Sequence, residues 1–131
     1  MKKIKGYIFS RPFLDERAPQ HIQNIIIREF CKKEKLHYSL SAVEYAMKDS
    51  YKTLYQLISN LKHLDGIVAY SVFQLPLNNS ERNRILKKII KKKKTFYFAL
   101  EDLKLSNKND LKKIENIWLV KKILPHCLKK I

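Results

Sequence analysis

The order of apolar segments predicts an α/β fold: a three-layer, open, mostly parallel sheet of four or more strands with helices on both faces. Three observations carry that expectation. Short apolar or aromatic runs alternate four times with longer segments whose apolar residues recur at three- and four-residue spacing. The connections between them are short, and right-handed crossovers then place the strands side by side and parallel. One run, Gly66-Ile67-Val68-Ala69-Tyr70-Ser71-Val72, is apolar almost without interruption. A central strand covered on both faces reads that way.

The first run, Ile4 to Ser10, carries Ile4, Tyr7, Ile8 and Phe9 and is stopped by Pro12, which gives a buried first strand. Pro19 suits a first helical position, and Ile22, Ile25, Ile26 and Phe30 follow at helical spacing, so a helix is expected over about 19–34. Leu36 to Tyr45 reads as the second strand, with Leu36, Tyr38, Leu40 and Ala42 on one alternating set. A second helix is expected over about 50–62, capped by Asp49 or Ser50 and striped by Leu54, Leu57, Ile58 and Leu61. Beyond the apolar third strand and Pro76, Asn79 or Ser80 is the expected cap of a third helix built on Ile85, Leu86, Ile89 and Ile90. Thr95 to Leu100 is an aromatic fourth strand. Caps within 106–109 then open a last helix with Leu111, Ile114, Ile117, Trp118 and Leu124 on one face.

A chain of 131 residues is one domain's worth, so residues 1–131 are expected to form a single α/β domain. Two glycines and four prolines exclude collagen and most disordered compositions. No apolar run approaches the roughly 20 residues that span a bilayer, and no leader-like segment opens the chain. A cytoplasmic protein without membrane insertion is expected. Cys31 and Cys127 match no metal-ligand spacing and read as small buried or half-buried thiols, with neither a metal nor a cofactor implied.

The charge is +16, from 28 basic against 12 acidic residues. Such a field attracts nucleic acid, anionic lipid or phosphorylated ligands. Yet 23 of the 28 are Lys and five are Arg, beside 15 Ile and 8 Asn, a mixture that an A+T-rich genome also writes where selection is indifferent. Lys often does no more than solvate a helix face, whereas Arg forks phosphate and guanine. The run Lys91 to Lys94 falls at a helix end, where cations face the dipole favourably without any partner.

In open parallel sheets ligands bind beyond the carboxyl ends of the strands. Those ends gather Ser10, Arg11 and Arg17, then Glu44 and Tyr45, then Ser71, Phe73 and Gln74, then Glu101 and Asp102, with Gln20 and His21 opening the first helix. The cluster suits an anionic or hydroxyl-rich ligand. Arg11 and Arg17 are candidates to hold an anionic group, with Gln20, Tyr45, Ser71 and Gln74 as further binding residues. Glu101 and Glu44 are candidates to handle protons, and Ser10 and His21 complete the catalytic candidates. Each has a plainer reading: Arg17 closing a local ion pair with Asp15 or Glu16, Ser10 capping a turn, His21 decorating a surface, Tyr45 packing as a ring. No glycine-rich phosphate loop, GxSxG, HExxH or CxxC is present.

Three sets of segments carry a resemblance. Lys5-Gly6-Tyr7-Ile8-Phe9-Ser10-Arg11-Pro12-Phe13 with Glu16-Arg17-Ala18-Pro19-Gln20-His21-Ile22-Gln23-Asn24 is one; Ser41 to Met47 with Leu64 to Pro76 is the second; Ala99-Leu100-Glu101-Asp102-Leu103 is the third. Together they resemble the bacterial sporadic carbohydrate cluster proteins over nearly the whole chain. The resemblance implies a cytoplasmic protein of surface-polysaccharide or nucleotide-sugar biosynthesis. Its partner would be an anionic sugar, sugar phosphate or nucleotide sugar.

A more distant likeness is to serine recombinase catalytic domains, which implies a resolvase-like sheet, with a flavodoxin-like one as the other doubly wound option. That family opens with a Gly-Tyr strand leading to Arg and the nucleophilic Ser, and shows an Asp-Arg pair after its third strand and a Glu after its fourth. Gly6-Tyr7 and Glu101 fit; Ser10 precedes Arg11, and Phe73 and Gln74 stand in place of the Asp-Arg pair. Strand cleavage needs several arginines on the scissile phosphate, so recombinase activity is not expected, nor is a separate DNA-reading domain. The leading expectation is therefore a sugar-binding or sugar-modifying protein of glycan biosynthesis. The alternative is a resolvase-fold module that binds nucleic acid without cutting it. A third reading is a non-catalytic scaffold in which apolar side chains, including Phe13, Phe73 and Trp118, serve a partner or self-association; a homo-oligomer is expected.

Overall fold

The computed structural model describes residues 1–13, 18–47 and 50–129, with side chains through residue 123. Its strands are β1 (Lys3–Ile8), β2 (His37–Val43), β3 (Gly66–Ala69), β4 (Thr95–Phe98) and β5 (Leu103–Leu105), and its helices are α1 (Gln20–Lys33), α2 (Lys52–Ser59), α3 (Asn79–Lys91) and α4 (Lys108–Lys129). The sheet runs in the order β2-β1-β3-β4-β5. Its first four strands are parallel and β5 is antiparallel to β4. The three-layer α/β expectation holds: α1 lies on one face, and α2, α3 and α4 lie on the other. No described helix is long and apolar enough to cross a membrane.

Strand periodicity divides the two cores. Ile4 and Ile8 of β1, with Val68 and Tyr97, turn to Ile27, Phe30 and Cys31 of α1, while Tyr7, Ile67, Phe96 and Phe98 turn to the other three helices. The second core is the larger and ends on Leu111, Ile114 and Trp118 of α4. Cys31 is buried, and burial pushes its thiol up to about 11. Leu124 and Cys127 lie beyond the described side chains.

The structure departs from the sequence reading where local pairing intervenes. Lys5 pairs with Ser39 and Gly6 with Ser41, so Leu40 is an extra residue in β2, a bulge. The phase of the strand flips there. Tyr38 packs on the α1 side and Ala42 on the other, and Leu40 is 81% exposed instead of sharing their face. The third strand ends at Ala69, because Ser71 breaks off to cap a short 3-10 turn over Val72–Gln74. Strand β5 carries no period in the sequence: three residues after a left-handed Asp102 (φ 54°) are too few to show one. Pro19 precedes α1 rather than opening it. Asn78, not Asn79 or Ser80, caps α3 by accepting from the Glu81 N–H at 2.9 Å.

Candidate functional site

Between β1 and β3 the winding of the sheet reverses, so the crevice at their carboxyl ends is where this architecture places a ligand. The candidate residues gather there in two groups. One joins β1 to β2 and the start of α2. The other joins β1 to β3, β4 and the start of α1.

In the first group Glu44 is 1% exposed. Its carboxylate accepts from the Tyr7 hydroxyl at 2.7 Å and from the backbone N–H groups of Thr53 (3.0 Å) and Leu54 (3.1 Å), with Tyr45 N–H at 3.1 Å. The opening N–H groups of α2 have no intrahelical acceptor, and this distant carboxylate supplies one. Of the expected caps, Asp49 lies outside the described residues, and the Ser50 hydroxyl is buried without a partner among them. Burial, and then the bond to Glu44, hold the Tyr7 hydroxyl well above its ordinary range. The Ser10 hydroxyl donates to the Glu44 carbonyl at 3.1 Å. Arg11 donates to the carbonyls of Tyr45 (2.6 Å) and Ser50 (2.8 Å) while its guanidinium lies over the Phe9 ring at 4.3 Å. Tyr45 itself is 49% exposed, so it is no packed ring.

The second group is a chain of buried hydrogen bonds. Gln23 accepts from the Phe9 N–H at 3.0 Å and donates to the carbonyls of Phe9 (2.9 Å) and Ala18 (2.7 Å). Gln74 donates to Gln23 at 2.8 Å and accepts from the Ser71 N–H at 3.3 Å. The Ser71 hydroxyl donates to Glu101 at 2.7 Å, and the other Glu101 oxygen accepts from the Val72 N–H at 2.8 Å. Buried polar groups are tolerated only when satisfied in this way. Around them the rings of Phe9, Phe13 and Tyr70 meet edge to face, with centroids 5.7 and 6.1 Å apart.

The sequence-selected residues thus separate into kinds. Ser10, Arg11, Glu44, Ser71, Gln74 and Glu101 all reach the carboxyl edge, but as two bonded groups around an aromatic plug rather than as one open ring. Gln20 and His21 are exposed on the first turn of α1, and Arg17 lies outside the described residues. Among the described residues no group of three or more His, Cys, Asp or Glu is placed to hold a metal ion.

Two polar positions passed over in the sequence prove central. Gln23 shares the buried face of α1 with Ile27 and Phe30. Arg82 is 2% exposed and shares a stripe with Ile85, Leu86 and Ile89. Its guanidinium pairs with Glu115 at 2.7 Å, donates to the Pro76 carbonyl at 3.0 Å and lies 4.3 Å over the Trp118 ring. A polar residue on an otherwise apolar helical stripe was the available signal for both.

The fold has known counterparts. The chain is similar to the N-terminal catalytic domain of TP901-1 integrase, with a TM-score of 0.63 and 13% identity over 96% of this chain and 97% of that one. It is equally similar to a resolvase family site-specific recombinase from Streptococcus pneumoniae, with a TM-score of 0.63 and 9% identity over 97% of each chain. At such identities the likeness establishes a resolvase-like fold. No protein-family model matches the chain, and no curated relative does. The comparisons thus give the carbohydrate-cluster resemblance no support.

Proposed function

We propose that this resolvase-fold chain is a nucleic-acid-binding module that does not cut its ligand. The observation that supports it is the disposition of the cations. Arg84, Lys87, Lys88 and Lys91 stand exposed in one row along α3, on a chain of net charge +16. Helical spacing brings them to one face, so their fields add where a polyanion would lie.

Cleavage has no comparable support. Of the described arginines, Arg82 is closed off by Glu115 and Trp118, Arg28 and Arg84 stand on exposed helix faces, and Arg11 directs two N–H groups to carbonyls. A pentacoordinate phosphate needs preorganised guanidinium groups around it. Fluorescence anisotropy with labelled DNA and RNA between 50 and 200 mM salt tests the reading. Affinity is expected to fall with a log–log slope of several units, and supercoiled plasmid is expected to stay intact. Absence of binding at 50 mM salt overturns the proposal, and nicked plasmid overturns its second half.

A second reading holds an anionic sugar, sugar phosphate or nucleotide sugar at the carboxyl edge, with Arg11 exchanging its two carbonyl partners for the anion. Behind it is the meeting of Gln23, Ser71, Gln74 and Glu101, drawn from separate segments of the carbohydrate-cluster resemblance, in one network. Thermal-shift screening with these sugars, and Arg11→Ala followed by analysis of the host's surface glycan, decide it. No shift together with an unchanged glycan removes this reading.

Self-association belongs to the same proposal, on a surface that only partly coincides with the expected one. Phe13 and Trp118 are 6% and 1% exposed, whereas the half-buried Phe73 lines a hollow with Val120, and Leu119, Val120 and Ile123 on the outer side of α4 are 56, 55 and 47% exposed. A monomer mass by light scattering at micromolar concentration would contradict it.

A further inference from the structure

The groove between α2 and α3 sets one half-buried aromatic ring, Tyr55, among the cations of α3. Tyr55 and Ile58 of α2 face Ile85 of α3, and Arg84, Lys87, Lys88 and Lys91 stand along the opening, about 320 Å³ in all. That is the volume of about ten waters. Among the described residues none of its lining side chains is a carboxylate. Glu81, one turn before Ile85, accepts from the Tyr55 hydroxyl at 2.6 Å. Arg84 and Lys87 also border an adjoining hollow with Asn79, Ser80 and Asn83, so the cationic row continues across the outer face of α3.

Charge alone would suit any polyanion, but the half-buried Tyr55 ring discriminates. A duplex keeps its bases stacked inside and offers phosphates, which would leave that ring unmatched. A single strand offers phosphates together with unstacked bases, whose faces can cover an aromatic ring. From Arg84 to Lys91 the helix advances about 10 Å, enough to serve two or three successive phosphates of one strand. The geometry points to single-stranded nucleic acid as the ligand of the α2–α3 groove, with a base on the Tyr55 ring and phosphates on Arg84, Lys87, Lys88 and Lys91. This rests on the nucleic-acid reading above and adds to it the strandedness of the ligand and its site.

The test compares a labelled oligothymidylate with a duplex of equal length, on the full chain and three variants. Tyr55→Ala is expected to weaken the single strand roughly 5- to 150-fold, the range of one lost base-stacking contact, and to leave duplex affinity unchanged. Tyr55→Phe keeps the ring, loses the bond to Glu81, and is expected to bind as the parent does. Lys87→Gln with Lys91→Gln, both at exposed positions, is expected to reduce the single-strand salt slope by about 1.4. Circular dichroism verifies that each variant is folded. If Tyr55→Ala does not fold, the double lysine variant alone decides, and an unchanged slope overturns the assignment. Equal affinity for duplex and single strand, both untouched by the variants, overturns the groove while sparing the broader nucleic-acid reading. Binding to phosphatidylserine vesicles but to no nucleic acid overturns both.

Discussion

Glu44 illustrates how a residue chosen for chemistry is used for structure. Its carboxylate ties the first turn of α2 to the end of β1 through Thr53, Leu54 and Tyr7. Removing it leaves three buried donors unsatisfied, at about 1–3 kcal/mol each before relaxation. Glu44→Ala should therefore destabilise the chain by at least about 3 kcal/mol in urea unfolding; a loss below 1 kcal/mol would show that the carboxylate is not the cap. Tyr7 carries the matching pH dependence. Its hydroxyl is held protonated in the fold by burial and by Glu44, whereas in the unfolded chain it ionises near pH 10. Unfolding then releases a proton, and stability falls as pH rises past 10, by up to about 1.4 kcal/mol per pH unit for this group. Urea titrations at pH 9, 10 and 11 should show that slope, reduced in Tyr7→Phe. Cys31 follows the same logic, its thiol pushed up to about 11, so native alkylation at pH 8 should be far slower than alkylation in urea.

At the scale of elements, two glycines set how closely strands approach. A Cβ on Gly66 would lie 2.1 Å from the Thr95 carbonyl oxygen, which is backbone and fixed by the β3–β4 pairing. A Cβ on Gly6 would lie 2.2 Å from the Ser41 Oγ, the end of a side chain beside the Leu40 bulge. Gly66→Ala is thus expected to prevent stable folding, while Gly6→Ala should be partly restored by Ser41→Gly. Equal severity without restoration would show that the bulge is rigid. The joint between α3 and α4 is the other decisive contact. Glu115→Ala leaves the Arg82 guanidinium buried beside Trp118 without its counter-charge, which costs about 3–5 kcal/mol for such pairs. Hydrogen exchange should then quicken in α4 before the central strands; uniform quickening would mean that this joint is not local.

For the whole molecule, +16 charges on 131 residues repel one another, and salt relieves part of that repulsion. The melting temperature should rise between 20 and 300 mM NaCl in the absence of ligand, and a flat response would show that charge is not limiting. The same field makes nucleic-acid affinity depend on salt, so stability and binding are expected to move in opposite directions with ionic strength.

Amphipathic period, the apolar run at Gly66 and the spacing of breakers were enough to set the alternating strands and helices and the parallel sheet with helices on both faces, because burial of one face requires that period. They also marked the rim on which Ser10, Arg11, Glu44, Ser71, Gln74 and Glu101 lie, since a parallel topology carries every strand end to one edge. What the chain's order could not reveal was partnership. That Glu44 caps a helix nine residues on, that Gln23 and Gln74 bridge α1 to the turn after β3, that Arg82 sits beneath Trp118, and that Leu40 interrupts its strand depend on distances across the sheet. A buried polar group takes whichever donor or acceptor packing brings within reach, and that choice is made only once the layers have closed.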